Sequence, residues 1–121
     1  MKWLFLALPL TFCDVARTAD KDGAYQLMGM RSCWDYIVSR VDTRAVEHAL
    51  VSSWIGGYIT AYNRQTPDTL GILGKTDLDG ALRWLDSWCA AHPRGNMGEA
   101  MIALTNDFYR RRYKTVKDAA P

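Results

Sequence analysis

The sequence predicts an all-α fold: a small four-helix domain with one disulfide, preceded by a signal peptide. Three observations carry this. Apolar residues recur at three-to-four spacing through four separate stretches, and no stretch alternates with a period of two over a useful length. Polar caps open most of these stretches, and proline or glycine closes several of them. At 121 residues, with 49% hydrophobic and 23% charged side chains, the chain has the makeup of one ordinary globular domain. No internal repeat or low-complexity tract occurs.

The chain begins with a basic Met1-Lys2 and a nearly all-apolar run from Trp3 to Phe12. That run has the length of a signal-peptide core and is too short to span a bilayer. The expectation is export, with residues 1–19 as the signal peptide and Ala16 or Ala19 as its end. An uncleaved anchor and an ordinary N-terminal helix are the alternatives. Residues 20–121 then form a single helical domain, frayed after about residue 114. Cys13 follows Leu10-Thr11-Phe12, a faint likeness to a lipoprotein acylation site, but that site wants a small residue where Phe12 stands. No lipid anchor, and no stable membrane insertion after cleavage, is expected.

Cleavage takes Lys2, Arg17 and Asp14, leaving 13 of 15 basic and 12 of 13 acidic side chains. A net charge near +1 is no footprint for nucleic acid. Cleavage also takes Cys13 and leaves Cys33 and Cys89. An even cysteine count in a small exported chain is most simply one disulfide, the alternative being two unpaired buried thiols.

Asp20 to Gly23 is a polar lead-in. From Ala24 to Ser39, Leu27, Met30, Trp34 and Ile37 or Val38 fit a helical stripe beside Cys33, with Tyr25 and Tyr36 as rim residues. Gly29 weakens that helix and is a candidate for its true start. Asp42-Thr43 reads as the cap of a second helix, about 44–63, with Val46, Leu50, Trp54, Tyr58 or Gly57, and Ala61 on one face. Gly56-Gly57 is unfavourable in a helix interior, so a close helix crossing is expected there, with a break as the alternative. Thr66 to Lys75 is the longest irregular connection, with Leu70, Ile72 and Leu73 at its centre; it either folds onto the core or meets a partner.

Thr76 followed by Asp79 opens the third helix, which runs to Ala91 with Leu78, Leu82, Leu85 and Trp88 or Cys89 on one face. His92-Pro93 stops it. Asn96 with Glu99 opens the fourth, about 97–113, with Ala100, Met101, Leu104 and Phe108 inward. Its end, Arg110-Arg111-Arg112 and Lys114, suits the negative end of the helix dipole. The same basic run could also meet an acidic partner or a membrane surface.

A reactive centre is not expected, and the chain reads as a binding protein and not an enzyme. Cys89-Ala-Ala-His92 with Cys33 and His48 has zinc-ligand residues, but only with reduced cysteines, so neither a metal nor another cofactor is expected. No phosphate loop, Gly-x-Ser-x-Gly elbow or His-Glu-x-x-His occurs. What is abundant is tryptophan, tyrosine and methionine, the usual anchors of protein interfaces, although many of these must build the core. Since Leu82, Leu85 and Cys89 claim the core face of the third helix, Trp84 is turned from it. Trp84 and Tyr62, with Leu70, Ile72 and Leu73 of the connection, are the expected partner-binding residues.

Cys33 in the first helix, Trp54-Ile55-Gly56-Gly57-Tyr58 in the second, Thr76-Asp77-Leu78, and Cys89-Ala-Ala-His92-Pro93-Arg-Gly-Asn96 before a closing helix form a pattern over residues 25–110. This pattern resembles the periplasmic acid-stress chaperones of the HdeA/HdeB type, in which two cysteines join helices. The resemblance implies partly unfolded proteins as clients, acid activation and a homodimer. Gly57-Tyr58-Ile59-Thr60-Ala61, and Trp84-Leu85 through His92-Pro93 to Ala100, are also similar to the immunity proteins that neutralise type VI secreted amidase effectors. That likeness implies one specific effector as partner. Both imply binding. Full protonation of the carboxylates and histidines brings the mature net charge to about +15, enough self-repulsion to loosen a small domain or its dimer.

Overall fold

The computed structural model describes residues 19–30, 32–41 and 45–121. The expected signal peptide (but for Ala19), Cys13 and the Asp42-Thr43 cap lie outside them. Four helices follow in order: α1 (Cys33–Val41), α2 (Ala45–Gln65), α3 (Leu78–Ala91) and α4 (Met97–Phe108), the last running into one 3-10 turn, Tyr109–Arg111. There is no strand among the described residues, only two isolated antiparallel bridges, Ser32 with Asn96 and Gly71 with Tyr113.

α3 and α4 form where their caps and stripes place them. The Asp77 carboxylate accepts the Gly80 N–H at 2.8 Å, so the cap is Asp77 and not Thr76. Asn96 and Glu99 make a reciprocal capping box, Glu99 N–H to Asn96 Oδ1 and Asn96 N–H to Glu99 Oε2. Leu82, Leu85 and Cys89 of α3 meet Ala100, Met101, Leu104 and Phe108 of α4 in the core.

The first two helices depart from expectation. α1 begins at Cys33, nine residues later than the apolar pattern suggests, because Gly29 takes a left-handed φ of +82° that breaks any helix there. Ser32 caps α1 instead: its Oγ accepts the Asp35 N–H at 3.0 Å and donates to the Asp35 carboxylate at 2.7 Å. Tyr36, expected at the rim, is fully buried. α2 buries Val51, Ile55 and Ile59, an i, i+4, i+8 stripe, and leaves Val46 and Leu50 exposed. Its glycines neither break it nor sit at a close crossing: a Cβ at Gly57 meets nothing within 4 Å, and one at Gly56 only Leu78 Cδ2 at 4.0 Å.

Cys33 and Cys89 are bonded, with Cα atoms 5.1 Å apart and a sequence separation of 56. Closing so long a loop stabilises the fold by about 4 kcal/mol in the chain-entropy model. The staple has support on either side. The Cys33 N–H donates to Gly95 O at 3.0 Å, and Ser32 bridges Asn96. The start of α1 is thus tied to α3 and to the turn before α4.

Residues 66–77 fold back on the core through Ile72, which is 0% exposed and whose N–H donates to Asn63 Oδ1. Gly71 exchanges both backbone hydrogen bonds with Tyr113, and the Leu70 N–H shares the Tyr113 carbonyl. Gly74, at φ +56°, lies so close to the Arg111 carbonyl that no side chain fits. Past Tyr113 the chain is exposed, with one turn in which the Asp118 carboxylate accepts the Lys114 and Thr115 N–H groups.

Candidate protein-binding surface

The five residues expected to meet a partner differ in burial. Ile72 is in the core, where the loop needs an apolar anchor, so it contacts no partner. Trp84 is half-buried: its ring meets Phe108 edge-on at 6.5 Å and its Nε1–H donates to Asp107 Oδ2 at 2.9 Å. Tyr62 packs partly against the core beside Tyr58 and Tyr25. Burial, then those two neighbouring phenols, raises the Tyr58 pKa above the ordinary tyrosine value. Leu73 is half-buried, and Leu70 is 42% exposed.

The larger apolar surface is elsewhere. Tyr25, Met28, Trp34, Val38, Val41, Val46 and Leu50 are each between 45% and 74% exposed. Trp34, Val38 and Val41 stand at i, i+4, i+7 on α1, and Val46 and Leu50 at i, i+4 on α2. Sequence reasoning placed Trp34, Val46 and Leu50 in the core. The signal was present: with Cys33 turned inward, Tyr36, Ile37 and Arg40 share its face, and Trp34 falls roughly 100° around the helix.

A polar network holds this surface to the body. The fully buried Tyr36 hydroxyl lies 2.9 Å from the Leu82 carbonyl and 2.8 Å from Asp86 Oδ1. Arg40 grips Asp86 with both prongs, Nε to Oδ1 at 2.8 Å and Nη2 to Oδ2 at 3.0 Å. Its Nη1 reaches His48 Nε2 at 3.2 Å. An arginine N–H can only donate, so this bond requires an unprotonated Nε2. Partial burial opposes ionisation of Asp86, but the hydrogen bonds from Arg40 and Tyr36 outweigh it and hold the carboxyl below its usual pKa. Tyr36 is pushed the other way, above the usual phenol range, by burial first and by Asp86 second.

The two cysteine sulfurs are bonded to each other and cannot serve as thiolates. His92 stacks on Trp88 with centroids 4.1 Å apart and donates its Nδ1–H to the Trp88 carbonyl at 2.8 Å, while His48 belongs to the Arg40 network. Among the described residues no three metal-ligating side chains converge, and no helix is long and apolar enough to cross a membrane. Compared with known proteins, the chain matches no family model, no curated protein and no solved structure.

Proposed function

We propose that this chain is an exported binding protein that holds partly unfolded polypeptides on the apolar surface of α1 and α2, as a periplasmic acid-stress chaperone does. The observation that carries the reading is the set of seven large apolar side chains exposed between residues 25 and 50. A disulfide supports an oxidising compartment. Acid acts on the network beneath that surface. Protonation of Asp86 releases Arg40 from its two-pronged grip. Cys33–Cys89 keeps α1 tethered to α3 while these contacts loosen, so the already exposed apolar faces of α1 and α2 gain freedom to adapt to a client without full unfolding.

One feature favours the second reading, an immunity-type inhibitor. The 66–77 loop is pinned by its bridge to Tyr113 and by Arg112, whose Nε donates to Asp68 O, and it presents Leu70 in a fixed backbone. Mixing the purified protein with an acid-labile client at pH 2–3 separates the two. Suppressed light scattering supports the chaperone. Scattering unchanged at every pH, with nanomolar binding to one effector and loss of that effector's activity, supports the inhibitor.

A further inference from the structure

A second site lies on different elements from the client surface. The 66–77 loop, the end of α4 and Tyr113 enclose a cavity of about 420 Å³. Its apolar walls are Leu73, Phe108 and Tyr113; Lys75, Arg111 and Thr76 complete the lining. The volume is within the range of small-ligand pockets, about 300–1,000 Å³.

The walls are held. Gly74 presses its backbone against the Arg111 carbonyl, and the Gly71–Tyr113 bridge fixes the opposite side. Arg111 lies over the Phe108 ring at 4.4 Å and reaches Asp107 at only 3.4 Å, an exposed pair with little hold on it. Lys75 makes no hydrogen bond or ion pair with any described residue. Of the neighbouring basic residues, Arg112 is taken up by Asp68 O, Thr69 and Tyr109, and Lys114 stands beside Asp118, so the charge at the cavity is that of Lys75 and Arg111; the nearby Asp107 already accepts from Trp84. An apolar hollow lined by one unpaired and one weakly paired cation selects an anion with an apolar body.

From this we infer that the cavity takes an acidic polypeptide segment: a large apolar side chain inside, with neighbouring carboxylates on Lys75 and Arg111. The polypeptide source follows from charge complementarity over two residues: Lys75 on the loop and Arg111 on the 3-10 turn are separate cations at one apolar hollow, matching two carboxylates that flank one apolar side chain. This inference does not rest on the client-holding reading, and substitutions in α1 and α2 leave Lys75 and Arg111 in place.

The test is an amide chemical-shift titration of the full chain with the blocked peptide Gly-Glu-Phe-Glu-Gly. Gly-Gln-Phe-Gln-Gly, Gly-Glu-Ala-Glu-Gly and 3-phenylpropionate are the comparison probes. Saturable shifts centred on residues 73–76 and 108–113, strong for the first peptide and weak for the other three probes, are expected. Lys75→Glu weakens that peptide by about tenfold, because an attraction becomes a repulsion, and Lys75→Gln by less. Raising the ionic strength weakens it further. Equal binding of the glutamine peptide, an unchanged affinity in Lys75→Glu, or no shift at about 1 mM peptide would overturn the proposal. Phenylpropionate binding as tightly as the peptide overturns the polypeptide assignment.

Discussion

Residues 78–108 and residues 25–50 treat their apolar side chains in opposite ways. In α3 and α4, Ala81, Leu82, Leu85, Met97, Ala100, Met101 and Leu104 are sealed, and both helices open on side-chain caps. In the earlier region Trp34, Val38, Val41, Val46 and Leu50 face solvent, and only Cys33, Tyr36, Val51 and their neighbours turn inward. One half of the chain therefore specifies a body and the other decorates it. Exposed apolar side chains contribute little to folding, so substitutions there are expected to leave stability nearly unchanged.

The comparison can be broken most severely at the staple. Replacing Cys33 and Cys89 with serine lowers the unfolding free energy by about 4 kcal/mol, read from urea denaturation. A loss near zero would mean that packing alone joins the two halves. Within the body, Leu85→Ala opens a cavity and costs about 2–5 kcal/mol, whereas Leu50→Ala on the decorated half stays within about 0.5 kcal/mol of wild type. Similar losses at the two leucines would erase the distinction.

Asp86→Asn sharpens it along the pH axis. The folded Asp86 pKa lies below its unfolded value, so its stabilisation is present above about pH 4 and disappears as pH falls through the folded value. The variant is therefore less stable than wild type at pH 7, and the two denaturation curves converge in strong acid. Tyr36 has the opposite sign. Its folded pKa is raised, so its contribution is complete below about pH 10 and is lost as pH rises further, a loss absent in Tyr36→Phe. The smallest effect is a gain. Gly57→Ala adds a Cβ that meets nothing within 4 Å in a continuous helix, and raises stability by about 0.5–1 kcal/mol.

How legible each half was in sequence follows from the same contrast. α3 and α4 carry one apolar stripe each, so Leu82, Leu85, Cys89, Ala100, Met101, Leu104 and Phe108 are buried as the spacing predicts, although the α3 cap is Asp77 and not Thr76 and α4 ends at Phe108 and not near 113. α1 and α2 carry more apolar residues than one face can bury. Two stripes compete in each, and local spacing cannot tell that Val51, Ile55 and Ile59 win over Val46, Leu50 and Ala61. Gly29 was marked as a candidate start, but only its contact with the Trp54 ring and its positive φ separate the 24–30 segment from α1. The disulfide follows from cysteine count, whereas the Tyr36–Asp86–Arg40 network joins residues 46 and 50 positions apart and leaves no local mark.

The most direct measurement takes Trp34→Ser, Val38→Ser and Leu50→Ser together in one chain and compares it with wild type in acid client aggregation. The account predicts an unfolding midpoint close to wild type and loss of most of the protection against aggregation. Full protection by a folded triple variant would contradict it, because the clients would then be held somewhere other than the exposed faces of α1 and α2.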